Sequence, residues 1–164
     1  MNALKLHAWA RRAKGVGIPV VPSLLRRFIR LVSHAYLPEG AQIGEGTELG
    51  YGGLGVVIHE EAKIGRHCLI SQGVTIGGRG GRPGVPVIGD YVRIGAGAKV
   101  LGDIRVGDYA VIGANAVVTR DVAEGAVVAG VPARELRRDP NPKETYLREQ
   151  SGPRSEVERA AFEA

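Results

Sequence analysis

Four histidines are the side chains of this 164-residue sequence best suited to proton transfer near neutral pH, because imidazole titrates in that range. Three of them fall in the N-terminal helical segment or at an outward corner, where no chemical role is expected. His59 instead follows Ile58 in a slot where this sequence prefers glycine, and such local exceptions cluster at functional sites. We expect His59 to take a proton from an acceptor hydroxyl, with Glu60 or Glu61 orienting the ring. The alternative interpretation is a structural corner histidine.

Other kinds of chemistry have little support in the sequence. It contains no cysteine–histidine metal cluster, no phosphate-cradling Gly-Lys-Ser/Thr loop and no nucleophile elbow, so no metal is expected. The single cysteine, Cys68, falls in a small inward slot and is expected to be a buried hydrophobe. A chain without a disulfide framework suits a cytoplasmic location. No stretch reaches the ~20 apolar residues that span a bilayer.

A repeat of six residues positions these side chains. Large aliphatic residues recur every six positions in each of three runs, and the residue after them is glycine at eight of the twelve positions. Four residues further on, a small or β-branched side chain usually follows. A period of six fits neither a helix nor an alternating hairpin. The large inward positions are 43, 49, 58, 64, 70, 76, 88, 94, 100, 106, 112 and 118.

The repeat fits a solenoid whose coil has three flat sides, with one large and one small side chain per side pointing inward. Coils of this kind stack through parallel backbone hydrogen bonds and rise about 4.8 Å each. Twelve sides make four coils, which exceeds the minimum of about three repeats. The sequence therefore predicts an all-β protein, a left-handed parallel β-helix with a short N-terminal helical arm.

Two interruptions break the repeat. Three extra residues are inserted within the glycine-rich segment 51–55, and a Gly/Pro/Arg-rich segment, 77–87, lacks the aliphatic residue expected at its centre. We interpret 77–87 as a loop extruded from one corner of the coil. A flexible loop on a rigid array is typical of a binding feature, and the alternative is a tolerated insertion.

Charge and composition divide the chain into a basic arm (1–40), the β-helix (41–134) and a polar tail (135–164) with a short terminal helix expected around 154–162. The net charge is +5, yet residues 1–38 contain seven basic residues and no acidic one, so nucleic-acid binding is not expected along the β-helix. Helices are expected over 3–14 and from Ser23 to His34. The second is amphipathic and basic, which favours peripheral contact with the inner face of a membrane or packing on the solenoid end or a neighbouring subunit.

Several motifs resemble those of the serine acetyltransferases, within the hexapeptide-repeat acyltransferases. They are Gln72–Gly78, Ile94–Gly102, Ile112–Val118 and Ala129–Arg134. The resemblance implies a homotrimer with active sites in the clefts between subunits, acetyl-CoA as the donor and a histidine as the general base. It also implies a CoA groove that uses Gly78, Ala96 and Ala114, with Lys99 and Arg134 meeting the CoA phosphates.

The sequence departs from that family at the catalytic positions. The Asp-His pair that precedes the Gly-Ile-Val-Ile segment is absent here, and a second family histidine is replaced by Val85. We therefore assign the base to His59 on physical grounds and expect Tyr51 to orient the acceptor.

The short arm and the segment 51–59 are similar to acetyltransferases of surface-polysaccharide biosynthesis, which favours a sugar or polysaccharide unit as the acceptor. Two alternatives stay open. The first is a serine O-acetyltransferase that makes O-acetylserine for cysteine biosynthesis. The second is a non-catalytic trimeric scaffold that has the coil without the chemistry.

Overall fold

A computed structural model of the chain describes residues 3–15 and 20–151. Helices α1 (Ala3–Gly15) and α2 (Val20–Ser33) precede a series of short strands, and helix α3 (Pro142–Ser151) follows them. The strands are β1 (Gln42–Ile43), β2 (Glu48–Leu49), β3 (Val57–Ile58), β4 (Lys63–Ile64), β5 (Leu69–Ile70), β6 (Thr75–Gly77), β7 (Val87–Ile88), β8 (Arg93–Ile94), β9 (Lys99–Leu101), β10 (Arg105–Val106), β11 (Val111–Ile112), β12 (Val117–Val118), β13 (Ala126–Ala129) and β14 (Arg134–Arg138).

The strands form the three faces of a prism. Strands β1, β4, β7 and β10 make the first face, β2, β5, β8, β11 and β13 the second, and β3, β6, β9 and β12 the third. Neighbouring strands within each of these faces pair in parallel, one coil apart, as when Ile58 lies opposite Ile76. The predicted left-handed parallel β-helix is therefore confirmed.

The core consists of the predicted inward side chains. Ten of the twelve large inward positions are buried, and the two in the first coil, Ile43 and Leu49, are half-buried. The ten small inward positions, from Thr47 to Val122, are all buried. Protein interiors are closely packed, and one large and one small side chain per side suit a narrow triangular core, which is why the six-residue pattern determines the fold.

Glycine follows the large residue because the coils are closely stacked at the corners. A Cβ added at Gly65 would collide with the backbone of Gly89 one coil further along. At Gly77, by contrast, an added Cβ would meet no atom within 4 Å. His59 lies in the same column as Gly77, so its bulky ring faces open space and not another coil.

The described part of the tail, residues 135–151, forms regular secondary structure that packs on the prism. Strand β14 crosses the expected boundary at residue 134 and pairs antiparallel with β13. Helix α3 then returns along the prism, where Glu149 pairs with Arg93 at 2.7 Å. The ring of Tyr146 meets that of Tyr91 edge-on, with 5.0 Å between centroids. The terminal helix expected around 154–162 lies outside the described residues.

One corner of the prism carries a stack of aromatic rings to which α3 docks. His67 stacks on Tyr91 with centroids 5.1 Å apart, and Tyr91 stacks on Tyr109 at 4.9 Å. His67 is exposed at this corner, as expected, and in addition stacks on a ring in the next coil. The stack arises because these residues occupy the same corner position in successive coils.

The arm packs on the first coil. Ile29 of α2 is buried in the core, and the buried ring of His7 in α1 hydrogen-bonds the carbonyl oxygen of Pro38 at 2.9 Å. Helix α2 begins at Val20, three residues before the expected Ser23. Pro22 is accommodated because the first turn of a helix needs no backbone N–H donors. No helix of the described ranges is long and apolar enough to cross a membrane.

Candidate functional site

The predicted site residues lie on the third face of the prism or at its two flanking corners. We call this surface, formed by β3, β6, β9 and β12 with the corners at either side, the site face. Its outward side chains between the corners are Val57, Thr75, Lys99 and Val117, one from each coil. The repeat thus brings residues up to 83 positions apart in sequence, from Tyr51 to Arg134, to one surface.

His59 lies at the corner that follows β3. Its backbone N–H donates to the carbonyl oxygen of Ile76 at 2.8 Å, and its side chain is exposed. The ring is oriented by the backbone of Glu61, whose N–H donates to Nδ1 at 3.2 Å. The expectation that a carboxylate of Glu60 or Glu61 orients the ring is replaced by this backbone contact. Since Nδ1 accepts, a neutral ring in this arrangement holds its proton on Nε2.

The extruded loop rises from the same corner, directly above His59. Its base is fixed because Gly102 donates its N–H to the carbonyl oxygen of Gly77 at 2.9 Å. A tight turn forms where the N–H of Arg82 donates to the carbonyl oxygen of Arg79 at 3.0 Å. Gly78 is exposed between these two features, and a Cβ added there would have one neighbour, the Gly84 carbonyl oxygen at 3.7 Å.

Ala96 and Ala114 occupy the opposite corner of the site face. The strands before them are in register, with Ile94 opposite Ile112, so the two alanines stack in adjacent coils. The N–H of Asn115 donates to the carbonyl oxygen of Ala96 at 2.8 Å. Ala96 is half-buried and Ala114 is exposed, and neither has a side chain beyond Cβ that would keep an extended chain away from the backbone.

The two basic residues expected to bind phosphate differ in their surroundings. Lys99 lies on the site face and is half-buried, and its Nζ donates to the carbonyl oxygen of Gly73 at 2.7 Å. Arg134 is exposed at the start of β14, at the corner between the second face and the site face, and its guanidinium donates to the carbonyl oxygen of Ala133 at 3.0 Å. An ammonium has three donors, so Lys99 has donors left for a ligand.

Tyr51 lies in the bulge of the first coil, at the corner opposite His59. Its backbone is left-handed, with φ of 51° and ψ of 40°, and its side chain is 76% exposed. A left-handed conformation is uncommon for a residue with a side chain and is found in turns and at functional sites. Tyr51 and His59 therefore flank strand β3 of the site face from opposite corners.

Tyr36 is a residue of the site face that the sequence analysis missed. It bridges to Val57 in parallel and extends the site face below the first coil, and its side chain is 40% exposed. It precedes the first large inward position and carries no periodic signal, so the six-residue pattern could not have included it.

Other surfaces of the described chain have different features. A groove of about 560 Å³ lies on the first face near the C-terminal strand, lined by Val87, Arg105, Asp121, Glu135 and Arg138 among others. Both basic and acidic side chains line this groove, and the guanidinium of Arg138 forms an ion pair with the carboxylate of Glu135 at 2.7 Å. Within residues 3–15 and 20–151, no group of three or more His, Cys, Asp or Glu side chains is placed to hold a metal ion.

Comparison with known proteins identifies the class to which this fold and site belong. Residues 86–120 match the family described as bacterial transferase hexapeptide (six repeats). The chain belongs to the hexapeptide-repeat transferases. Within that class its similarity is to the serine acetyltransferases.

The similarity to serine acetyltransferases extends to both sequences and solved structures. The chain is 47% identical over 136 residues to a serine acetyltransferase of Synechocystis sp., covering 82% of this chain and 54% of the relative. A serine acetyltransferase of Staphylococcus xylosus is 41% identical over 122 residues, with 73% of this chain and 56% of the relative covered. The structure of a Brucella abortus serine acetyltransferase in complex with coenzyme A superposes with a TM-score of 0.78 at 34% identity, covering 83% of this chain and 55% of that one. The chain thus spans little more than half the length of these proteins.

Proposed function

We propose that this protein is an acetyl-CoA-dependent O-acetyltransferase whose active site is the site face, with L-serine as the acceptor. The observation that carries the proposal is the position of His59, an exposed imidazole beneath the open space at Gly77. The names of the relatives favour serine over the sugar acceptor expected from the sequence. The related Brucella abortus structure is a complex with coenzyme A, which supports the donor.

The proposed acetyl transfer requires a general base, and His59 has this role. In the first step the acceptor hydroxyl gives its proton to His59 while its oxygen attacks the thioester carbonyl carbon. In the second step the intermediate collapses and expels the CoA thiolate, which takes the proton from the imidazolium of His59. A backbone N–H group at a corner of the coil stabilises the oxyanion of the tetrahedral intermediate by donating a hydrogen bond to it. Because Nε2 already holds a proton, Nδ1 must accept, which opens the bond from Glu61. An exposed bond of 3.2 Å costs only about 1 kcal/mol to open.

The donor would lie along the site face. The pantetheine arm would lie against the backbone beside the small side chains of Ala96 and Ala114, and Gly78 leaves room for the thioester next to His59. Lys99 and Arg134 would contact the CoA phosphates, with charge-assisted hydrogen bonds as the attraction. Tyr51 would contact the acceptor from the other corner.

We further propose a homotrimer, because a flat face of a prism cannot enclose a cofactor by itself. A second copy placed against the site face would convert it into a cleft. Light scattering should then give three times 17.3 kDa, about 52 kDa. A mass of one chain at micromolar concentration contradicts this part of the proposal.

The activity is tested by mixing the protein with acetyl-CoA and L-serine and following free CoA thiol, with O-acetylserine identified by mass spectrometry. The protein's own thiol gives little background because Cys68 is buried. Serine-dependent release that disappears in His59→Ala supports the proposal. If neither serine nor any hydroxyl compound releases CoA, the non-catalytic scaffold is favoured.

A sugar hydroxyl is the second candidate acceptor, and one observation favours it. In the first coil, where serine acetyltransferases carry an Asp-His pair, this chain has a glycine-rich bulge with the exposed aromatic ring of Tyr51. An aromatic ring offers no charge to pair with the ammonium and carboxylate of serine. The same assay with a panel of monosaccharides and nucleotide sugars decides between the acceptors: CoA release with a sugar and none with serine would replace the serine proposal.

A further inference from the structure

Helix α2 exposes an apolar stripe on the side that does not pack on the prism. Leu24, Phe28, Leu31 and Val32 are 58%, 44%, 76% and 52% exposed, respectively. At 100° per residue these four positions fall within an arc of about 100°. Ile29 lies outside that arc and is buried against the prism. The helix therefore has two apolar sides, one used for packing and one presented to the surroundings.

The stripe is bordered by positive charge. Arg27 and Arg30 are exposed, and the helical period places Arg27 directly beside Leu31 on the helix surface. Exposed Arg11 and Arg12 extend the positive charge onto α1. No acidic residue occurs among residues 1–38. A partner of this surface must therefore combine apolar character with negative charge.

The helix is presented rigidly. The carbonyl oxygen of Ser33, the last residue of α2, accepts a hydrogen bond from the N–H of Gly55 at 3.0 Å, and the buried Ile29 fixes the opposite side. Docking through the stripe therefore requires no folding of the helix. Preorganisation of this kind reduces the entropy cost of binding.

We propose that the exposed stripe of α2 docks this protein on an anionic lipid bilayer, with the helix lying parallel to the surface. The apolar side chains enter the boundary between headgroups and acyl chains, and the arginines contact lipid phosphates. A symmetric contact between two copies of this stripe is disfavoured because it would bring the positive charges of Arg27 and Arg30 on one helix close to those on the other, and α2 contains no acidic residue to balance them. The docking does not depend on the proposed acetyl transfer.

Sedimentation with vesicles tests the proposal on the full chain. The protein should sediment with vesicles of equal parts phosphatidylglycerol and phosphatidylcholine and stay in solution with phosphatidylcholine alone. Leu31→Ser should weaken partition about tenfold or more, because the leucine side chain no longer leaves water. Arg27→Glu together with Arg30→Glu should weaken it about 30-fold or more at low salt. High salt should reduce the difference made by the arginines.

Matched changes outside the arm serve as controls. Leu136→Ser removes a leucine from β14 that is 67% exposed, close to the 76% of Leu31. Arg120→Glu with Arg137→Glu changes the charge of the protein by the same amount as the double substitution in α2, at exposed positions outside the arm. These controls and His59→Ala should bind vesicles like the parent, so the outcome is separable from that of the acetyltransferase assay. Failure of the parent to bind anionic vesicles at low salt overturns the proposal, as does equal binding of Leu31→Ser and the parent. A fall in oligomer mass on Leu31→Ser without vesicle binding by the parent would assign the stripe to a contact between copies.

Discussion

At the scale of single residues, the proposed transfer depends on one basic nitrogen of His59. The ring is exposed and held by the backbone of Glu61, with no carboxylate placed to share its charge in the described structure. This differs from a histidine paired with an aspartate, in which the carboxylate fixes the tautomer that leaves Nε2 free. His59 could be identified from the sequence because it lies in a slot where glycine is usual. The sequence could not show that Nδ1 of its ring accepts a hydrogen bond from the backbone of Glu61.

Two substitutions at His59 separate the base from a hydrogen-bond donor. His59→Ala should lower kcat about 100-fold or more, since general base catalysis contributes roughly that much. His59→Gln retains N–H donors and has no basic nitrogen, so it should lose activity to the same extent. The measurement is the initial rate of CoA release at saturating substrates. Substantial activity in His59→Gln would assign the ring to donation through Nε2–H.

The surroundings of Cys68 predict that its thiol reacts slowly in the folded protein. Its thiol donates to the carbonyl oxygen of Gly89 at 3.1 Å, and burial raises its pKa from 9.0 to about 11. It therefore has about a hundredfold less thiolate than an ordinary thiol at any pH well below 9.0. The folded protein should react with a thiol reagent far more slowly than the protein in denaturant. Equally fast labelling in both states would mean that the coil around Cys68 opens readily.

At the scale of elements, the arm is joined to the prism through a titratable contact. Burial lowers the pKa of His7 from 6.5, and nearby Arg11 lowers it further, whereas the bond to Pro38 and the charge of Glu39 raise it. The folded state thus prefers the neutral ring. The stabilisation is complete above pH 6.5 and is lost as the pH falls from 6.5 to the lowered pKa.

Replacing His7 by glutamine tests this contact. The amide can still donate to the Pro38 carbonyl oxygen and does not titrate. Below pH 6.5 the thermal midpoint of the parent should fall more steeply than that of His7→Gln, by about 3 °C for each unit by which the pKa of His7 is lowered. Parallel curves for the two proteins would show that protonation of His7 does not affect the stability of the arm.

The extruded loop depends on a glycine that packs on the next coil. Gly84 has φ of +94°, and a Cβ there would collide with the side chain of Asp103. Gly80 lies in the same loop, and an added Cβ would meet no atom within 4 Å. The two glycines therefore form a matched pair for testing whether the shape of the loop matters.

Gly84→Ala should displace the loop, whereas Gly80→Ala should not. The left-handed backbone alone costs roughly 1–2 kcal/mol with a side chain, which corresponds to a thermal midpoint about 2–8 °C lower. If the loop shapes the donor site, Gly84→Ala should also raise the KM for acetyl-CoA severalfold. An unchanged KM in a destabilised variant would show that the loop is outside the donor site.

The elements at the two ends of the chain were harder to predict than the coils. Helix α2 begins before Pro22 because proline fits a first helical turn, whereas in the sequence the same proline indicates a break. The tail residues 134–138 are polar, yet they form β14 because the last coil offers the unpaired edge of β13. The docking of Tyr146 on the aromatic stack involves side chains from distant coils, so no local pattern predicts it.

At the scale of the whole molecule, the fold follows from the sequence because the repeat determines every coil in the same way. Each large residue, such as Ile70 or Ile94, occupies an equivalent position in a narrow core, and a shift of one residue would expose all of them. The stacking of Ala96 on Ala114 follows from the same register. The positions of these residues could be predicted from spacing alone, whereas a role of the alanines in binding CoA is implied only by the resemblance to serine acetyltransferases.

The remaining parts of the site depend on contacts that spacing does not determine. Lys99 donates to Gly73 in the coil below, and Tyr51 adopts a left-handed backbone within an irregular bulge. The side-chain conformation of Lys99 and the backbone conformation of Tyr51 are each one of several that the sequence permits. The acceptor side also requires whatever surface faces the site face across the proposed cleft, and a single chain supplies one wall of it.

A crystal structure with CoA bound tests the central claim most directly. We predict that the pantetheine arm lies along the site face beside Ala96 and Ala114 and that the sulfur is adjacent to His59, leaving about 3–3.5 Å between Nδ1 and the position of an attacking oxygen. Electron density for CoA in the groove near Arg105 and Arg138, or on the second face beneath α3, would contradict the account.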